Sequence, residues 1–345
     1  MEMQTEQPQA SDIQDTTPFF TRQQWFEHFE QHIVTDSSVI WLPLTQQPKA
    51  KVLPLLSPTD NQKAFQIRSL LSMSNYYSPV YGLVNSELSE TIGADELCDN
   101  TVELLKGYDS INISPIYEQQ ATDWLNAFKQ IGFTGHRYQH SVNWYHNNIT
   151  DIQQYWALRP PRLLNTLKRK REQMQKAGEF TTQVFSNGSQ SQLIQALIDY
   201  HHVYYHSWKQ KEPYPAFIDA VAEYAWHRNE LRIGIIYHQQ RPIAAQIWFV
   251  CKKTAYIFKL AHVESYTRFS PGTVLMAVLL EHVITEDNVN HIDFLTGNDS
   301  YKQDWMSGKH VLYGIHLCNK HSAKGLCLSV LDYAGRVRKK IPLLR

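Results

Sequence analysis

Arg268-Phe-Ser-Pro-Gly-Thr273, running straight into Val274-Leu-Met-Ala-Val-Leu-Leu280, is the stretch on which the reading of this chain turns. Proline presets φ for the first turn of a helix and has no N–H to leave unpaired there. Serine before it is a helix-starting residue, so a helix is predicted over 271–286, opened by Ser270 as its cap. A helix start carries unpaired backbone N–H groups and a partial positive charge. Gly272 has no Cβ and lets a ligand come close to that backbone. Such a place suits phosphate, including the pyrophosphate of a nucleotide-like cofactor. A plain helix cap is the structural alternative for the same residues.

Working outward, strands are predicted before this helix over 179–185, 231–237, 243–250 and 255–263. Turns at 238–241 and 252–253 fold the last three into hairpins. Two helices, 189–208 and 215–227, lie between the first strand and the rest. After the helix come a short strand over 291–296, a loop at Gly297, a short helix, a strand over 309–317 and a closing helix over 323–340. Upstream, Arg159-Pro-Pro-Arg162 interrupts regular structure, because proline restricts itself and the residue before it. A basic helix over 163–176 follows, and the domain seam is expected at 147–162. The first half repeats the order more faintly. It has a helix over 21–33, strands over 39–44, 52–56 and 65–71, and a helix within 86–106. A strand over 110–116, a helix over 121–131 and a strand over 136–144 follow. Pro43, Pro54 and Pro58 weaken the early strands.

The composition narrows the function classes. The 345 residues are 43% hydrophobic and 19% charged, which excludes a disordered or collagen-like chain. Lysine plus arginine equal aspartate plus glutamate, 33 each. That balance argues against broad nucleic-acid binding, which needs phosphates neutralised. Mean hydropathy is −0.42, and the apolar runs are too short to cross a bilayer. Residues 1–18 carry no basic start or apolar stretch and are expected to be a disordered tail. Cys98, Cys251, Cys318 and Cys327 form no Cys-x-x-Cys pair. A reduced, cytoplasmic protein without a metal is the expectation.

Three antiparallel strands, a glycine turn opening a helix, then another strand is the order of the GNAT acyltransferases. The run Lys259-Leu-Ala-His-Val-Glu-Ser-Tyr-Thr-Arg-Phe-Ser-Pro-Gly-Thr-Val-Leu275 resembles the core motif of a bacterial GNAT branch. That branch contains the CelD-like acetyltransferases of exopolysaccharide and cellulose synthesis and is related to the FemAB transferases. Arg159-Pro-Pro-Arg-Leu-Leu-Asn-Thr-Leu-Lys-Arg-Lys170, Ser207-Trp-Lys209 and Glu212-Pro-Tyr-Pro-Ala-Phe217 resemble it too. So do Ala244-Ala-Gln246 and Asp293-Phe-Leu-Thr-Gly-Asn-Asp-Ser-Tyr-Lys-Gln-Asp-Trp-Met306, all in collinear order over about residues 155–330. The resemblance implies an α/β (α+β) fold of two tandem GNAT-like modules, with a mixed, mostly antiparallel sheet flanked by helices. The expected organisation is a degenerate module over 19–150, a catalytic module over 155–322, and a helix with a basic tail over 323–345.

The implied activity is acyl transfer from acetyl-CoA or another acyl-CoA to an amine or hydroxyl. The acceptor would be a small molecule or a saccharide of polysaccharide or cell-envelope synthesis. By resemblance, Leu260 and Ala261 line the pantetheine arm, while Ser270, Gly272 and Thr273 face the pyrophosphate. Glu264 stands where these enzymes place a base, and Tyr301 where they place an acid. His262 is a second base candidate, since imidazole titrates near neutrality. The branch would carry tyrosine and aspartate where His262 and Val263 stand, so the base stays open. Tyr204, Trp208, Lys209, Gln246, Asp293 and Lys302 are the candidate acceptor-binding residues, the aromatic ones suiting a sugar face. Each has a structural alternative: ring packing for Tyr301, a solvated strand end for Glu264, a loop brace for Asp293. His202 and His206 lie one helical turn apart without an acidic partner, and His136 and His140 lie in a strand, so none is read as a ligand. The cluster Lys168-Arg-Lys-Arg171 and the run Arg336-Val-Arg-Lys-Lys340 allow at most peripheral membrane contact. Two other functions remain: a FemAB-type aminoacyl-tRNA-dependent transferase, and a binding protein that kept the fold.

Overall fold

Runs such as Leu231-Arg-Ile-Gly-Ile-Ile-Tyr237 and Ile243-Ala-Ala-Gln-Ile-Trp-Phe-Val250 are apolar on both faces, which suits strands covered by helices on either side. A computed structural model bears this out. It describes residues 17–46, 50–59 and 67–340, with side chains as far as 335. Most of the expected tail, residues 1–16, lies outside that range. So do residues 65–66 of the third expected strand.

The strands are β1 Ser37–Pro43, β2 Val52–Pro58, β3 Ser69–Ser72, β4 Ser110–Ile116, β5 Phe133–His146 and β6 Phe180–Phe185, then β7 Leu231–His238, β8 Arg241–Cys251, β9 Thr254–His262, β10 His291–Thr296 and β11 Gly308–Asn319. The helices are α1 Gln23–Ile33, α2 Asp99–Lys106, α3 Glu118–Gln130, α4 Ile152–Ala157, α5 Pro161–Ala177, α6 Gln190–Tyr205, α7 Pro215–His227, α8 Pro271–Thr285, α9 Lys302–Trp305 and α10 Ala323–Lys340. Proline sits in the first turn of α5, α7 and α8. α6 opens with a reciprocal cap between Ser189 and Gln192. α4 interrupts the expected seam. Asp151 Oδ1 accepts the Gln154 N–H at 2.7 Å, and the helix buries Tyr155. No helix among the described residues is long and apolar enough to cross a membrane.

All strands join one mixed sheet, ordered β1-β2-β3-β4-β11-β5-β10-β9-β8-β7-β6. Among the described residues only β3/β4 and β9/β10 are parallel pairs. The order is nearly symmetric about the β11/β5 pair. The first half runs α1-β1-β2-β3-α2-β4-α3-β5, and the second repeats it as α7-β7-β8-β9-α8-β10-α9-β11. Each half gives its last strand to the other: β5 lies against β10, and β11 lies against β4. β5 and β11 then pair along their length, from Gly308↔Tyr145 to Asn319↔Phe133.

The exchange continues in the core. Phe19 stacks on Phe249 with ring centroids 4.1 Å apart. Arg22 is fully buried and donates to both oxygens of Glu230, at 2.5 and 2.8 Å. A second core packs α4, α5 and α8 beneath β7 to β10. α8 is apolar nearly all round because the sheet covers one side and α5 the other.

Candidate active site

β9 and β10 pair at only three positions, from His291↔Thr254 to Asp293↔Tyr256. Beyond them both strands depart from regular geometry. On β9, Phe258 is the extra residue of a bulge, since Lys259 faces Ile247 and Ile257 faces Trp248. Bulges of this kind bend a strand and re-aim its side chains. On β10, Leu295 has φ of 55°, a left-handed conformation that costs a bulky residue on the order of 1–3 kcal/mol. Its surroundings impose it. Asp293 Oδ1 accepts the Leu295 N–H at 2.7 Å, and Asp293 Oδ2 accepts from Asn143 at 3.0 Å. From the other side the Lys302 ammonium donates to the carbonyls of Phe294 at 3.0 Å and Thr296 at 2.8 Å.

The two strands therefore splay apart. Two cavities fill the gap and share Trp208, Leu260 and Tyr301 as common wall. The larger has a volume of about 460 Å³ and is lined by Tyr76, Tyr77, Tyr204, Lys209, Lys259 and Lys302, with other residues of β9 and β10. Tyr76, Tyr77 and Pro79 come from the first half of the chain. The smaller, about 260 Å³, reaches His262, Ser270, Gly272, Thr273 and Met276.

The larger cavity is rich in ammonium groups held out of water. Glu212 is buried, takes a 2.7 Å ion pair from Lys259 and accepts the Tyr77 hydroxyl. The Lys259 ammonium also lies 4.2 Å over the Tyr77 ring. Lys209 lies 5.7 Å over Tyr204 and 5.8 Å over Trp208. Among the described residues no carboxylate forms an ion pair with it. Burial and the nearby Lys259 charge push its pKa down to about 8. Burial also lowers Lys302 to about 8 and raises Asp293 to about 6. Tyr301 is raised as well, by burial and then by the Asp299 charge.

At the smaller cavity, Ser270 does not act as the expected side-chain cap. It takes φ 50° and ψ 51° and joins a 3₁₀ turn, Glu264–Phe269, to α8. The Thr273 and Val274 N–H groups bond its carbonyl at 3.0 and 3.2 Å, and Pro271 has no N–H. Among the described residues the Gly272 N–H has no backbone acceptor, and Gly272 lines the smaller cavity. Gln246 donates to the Gly272 carbonyl at 2.9 Å and accepts from Trp248 Nε1 at 2.9 Å. Both polar ends of Gln246 are thus committed to holding the helix start. The Lys170 ammonium of α5 donates to the Arg268 carbonyl, bringing a cation to the same turn.

The cleft gathers Tyr204, Trp208, Lys209, Gln246, Leu260, His262, Ser270, Gly272, Thr273, Tyr301 and Lys302 from the candidates named in the sequence. Three lie elsewhere or face inward. Glu264 is exposed on the 3₁₀ turn and lines neither cavity. The chain leaves β9 at His262, so strand alternation no longer sets its direction. Ala261 is buried opposite Ala245 of β8. Asp293 is buried and serves Leu295. Gln246 lines the smaller cavity but spends its amide on the Gly272 carbonyl. His262 packs against Trp208, with centroids 4.4 Å apart and ring planes tilted by 45°, and a Cβ on Gly272 would lie 3.4 Å from its Nδ1. It therefore stands at the helix-start end of the cleft. Sequence reading missed Glu212, Lys259, Tyr76 and Tyr77 as site residues. Glu212 and Lys259 both lie inside the motifs that carry the resemblance, and an acid directly before Pro213-Tyr-Pro215 was the available signal.

Residues 161–303 match the model of the acetyltransferase (GNAT) domain. No curated protein matches the chain in sequence. The solved structures that resemble it do so at low identity. FemX superposes with a TM-score of 0.59 at 9% identity, covering 92% of this chain and 96% of that one. The C-terminal domain of a putative lysylphosphatidylglycerol synthetase from Agrobacterium fabrum gives 0.52 at 12% identity, over 87% and 88%. L-PGS from Bacillus licheniformis gives 0.50 at 10% identity, over 93% and 98%. Residues 161–303 are therefore similar to a GNAT-type acetyltransferase domain, a class built for acyl transfer, and the whole chain is similar in fold to FemX.

Proposed function

We propose that this protein transfers an acyl group, acetyl first, from coenzyme A to an amine or hydroxyl of an acceptor held in the larger cavity. The observation that carries this reading is the junction of the two cavities at Trp208, Leu260 and Tyr301. A donor entering past Gly272 and an acceptor entering past Tyr76 would meet there. Leu260 would line the pantetheine arm, and the Gly272 N–H with the start of α8 would face the pyrophosphate.

The transfer needs one proton removed and one supplied. The acceptor nitrogen or oxygen bonds the acyl carbon as the carbon–sulfur bond breaks. Tyr301, kept protonated at neutral pH by burial, gives its proton to the departing sulfur. Lys209, partly neutral at the same pH, takes the proton that the acceptor loses. Passing that proton back to Tyr301 through solvent restores both groups. The exposed rings of Tyr76 and Trp208 suit a saccharide acceptor, with the ammonium groups reading its oxygens. A second reading, an aminoacyl-tRNA donor, is favoured by the likeness to FemX across most of both chains.

Calorimetric titration of the wild type and Gly272→Glu with acetyl-CoA tests the choice. A carboxylate near a helix start favours the helix, so the variant should fold. Its charge should repel pyrophosphate. Binding by the wild type alone supports coenzyme A at this turn. No binding by the wild type, with retention of charged tRNA, moves the donor to the second reading.

A further inference from the structure

We propose that His136, His316 and Asp332 form a binding site for a late first-row divalent metal ion such as Zn²⁺, which clips α10 to the centre of the sheet. The sequence reading expected no metal and set His136 aside because it lies in a strand. That placement brings it directly opposite His316 on the neighbouring strand. Opposed residues of an antiparallel pair share a face with their Cβ atoms about 5 Å apart. The two rings stand edge to face, 6.0 Å between centroids and 87° between planes. Each turns its Nδ1 toward one carboxylate oxygen. Asp332 Oδ2 lies 2.6 Å from His316 Nδ1 and 3.6 Å from His136 Nδ1, and the three donor atoms fall within 4.8 Å of one another.

Tetrahedral zinc with bonds of about 2.0–2.1 Å places its ligands about 3.3 Å apart. The His136 to Asp332 separation already fits. The His316 to Asp332 hydrogen bond would open by about 0.7 Å to exchange its proton for the ion. Two imidazoles and one carboxylate suit Zn²⁺, Cu²⁺ or Ni²⁺, with a fourth position left for water. The side chains are 20%, 23% and 31% exposed, so an ion can reach them from solvent.

The surroundings explain what a clip would do. Over 323–335 of α10 only Gly325 is buried. A Cβ there would lie 2.2 Å from the Asn319 carbonyl and 2.9 Å from that of Asp109, so the first turn is pressed onto the sheet. Beyond that turn Leu326, Val330 and Leu331 are 48%, 66% and 68% exposed and anchor nothing. Asp332 ties the second half of the helix to the sheet through His316 and His136. His316 lies eight residues along β11 from Gly308, about 26 Å from the cleft end of the strand. The site is therefore structural and independent of the acyl-transfer reading.

The test uses the full chain, chelator-treated, in a Cys327→Ser background because Cys327 is an exposed thiol on the same helix. Zn²⁺ alone is titrated by calorimetry near neutral pH. The expected result is one equivalent bound with micromolar or tighter Kd and a rise in Tm. His136→Ala and His316→Ala should each weaken binding at least about tenfold. His140→Ala, four residues further along β5, should not. Co²⁺ spectroscopy of the unaltered ligand set needs no site variant and should show the absorption bands of a low-symmetry, nitrogen- and oxygen-ligated ion. Failure of the Cys327→Ser protein to take up Zn²⁺, or uptake unchanged in both histidine variants, overturns the proposal and leaves a hydrogen-bonded cluster only.

Discussion

Lys209 offers a sharp prediction because its amine should behave unlike any surface lysine. With a pKa pushed down to about 8, about one molecule in ten carries the neutral amine at pH 7 and half do at pH 8. An ordinary lysine near 10.4 is neutral about once in 2,500 at pH 7, so Lys209 should hold roughly 250 times more free amine. The fall of about 2.5 units also means that the buried ammonium costs the fold about 3 kcal/mol at neutral pH. The unfolded chain binds this proton more tightly, so stability should rise with pH between about 8 and 10.4 and level off above.

Trace labelling with an amine-reactive anhydride, read by peptide mass spectrometry across pH, needs no known acceptor. The labelling midpoint at Lys209 is expected near pH 8, against about 10.4 for a free lysine side chain. Lys259→Met should move the midpoint upward. It removes a nearby cation and frees Glu212, which at present is paired to Lys259 at 2.7 Å. A Lys209 midpoint at the exposed-lysine value, or a downward shift in Lys259→Met, would refute both the burial argument and the assignment of Lys209 as proton acceptor.

The Arg22–Glu230 pair should respond asymmetrically. Glu230→Ala leaves a fully buried guanidinium and should cost about 3–5 kcal/mol in urea denaturation. Arg22→Met should cost less, because Glu230 keeps Arg228 at 3.4 Å; the reverse order would defeat the argument. Gly234→Ala places a Cβ 2.8 Å from Leu279 and 2.9 Å from Leu275, and overpacking of this kind should lower stability by about 1–3 kcal/mol, read as a fall in Tm. A chain beginning at residue 155 lacks β5, the partner of both β10 and β11. It should fail to give a cooperative melt, whereas a soluble, cooperatively melting fragment would show that the exchanged strand is dispensable.

The second half was legible because its signals were local. Proline in the first turn of α7 and α8, apolar runs of strand length and two-residue turns place elements within a residue or two of their observed ends. What escaped was set by tertiary context. Ser270 looked like a cap, yet the 3₁₀ turn before it must reverse the chain, and a left-handed residue does so while the side chain caps nothing. Glu264 was placed by resemblance alone, but the Phe258 bulge and the end of β9 at His262 leave it exposed on the 3₁₀ turn. The Glu212–Lys259 pair joins residues 47 apart in sequence, a distance at which no periodicity speaks. α4 was hidden in a polar stretch whose one strong signal was Asp151, a helix-starting residue three before Gln154.

The strand exchange bears on why a half without a Ser-Pro-Gly-Thr turn persists beside one that has it. β9 and β10 can splay only if something else holds β10 in the sheet. That partner is β5, which comes from the first half. Asn143 on β5 also donates to Asp293, the residue that fixes the left-handed Leu295. The first half further supplies Tyr76 and Tyr77 to the cleft wall. A freestanding second half would thus lose the strand that braces the splay, the hydrogen bond that imposes the kink, and one wall of the larger cavity. The first half is thereby indispensable to the cleft of the second, whatever it binds itself. Substitutions at Asn143 should accordingly reach the cleft through β10, altering the geometry at Lys302 without touching any group that lines it.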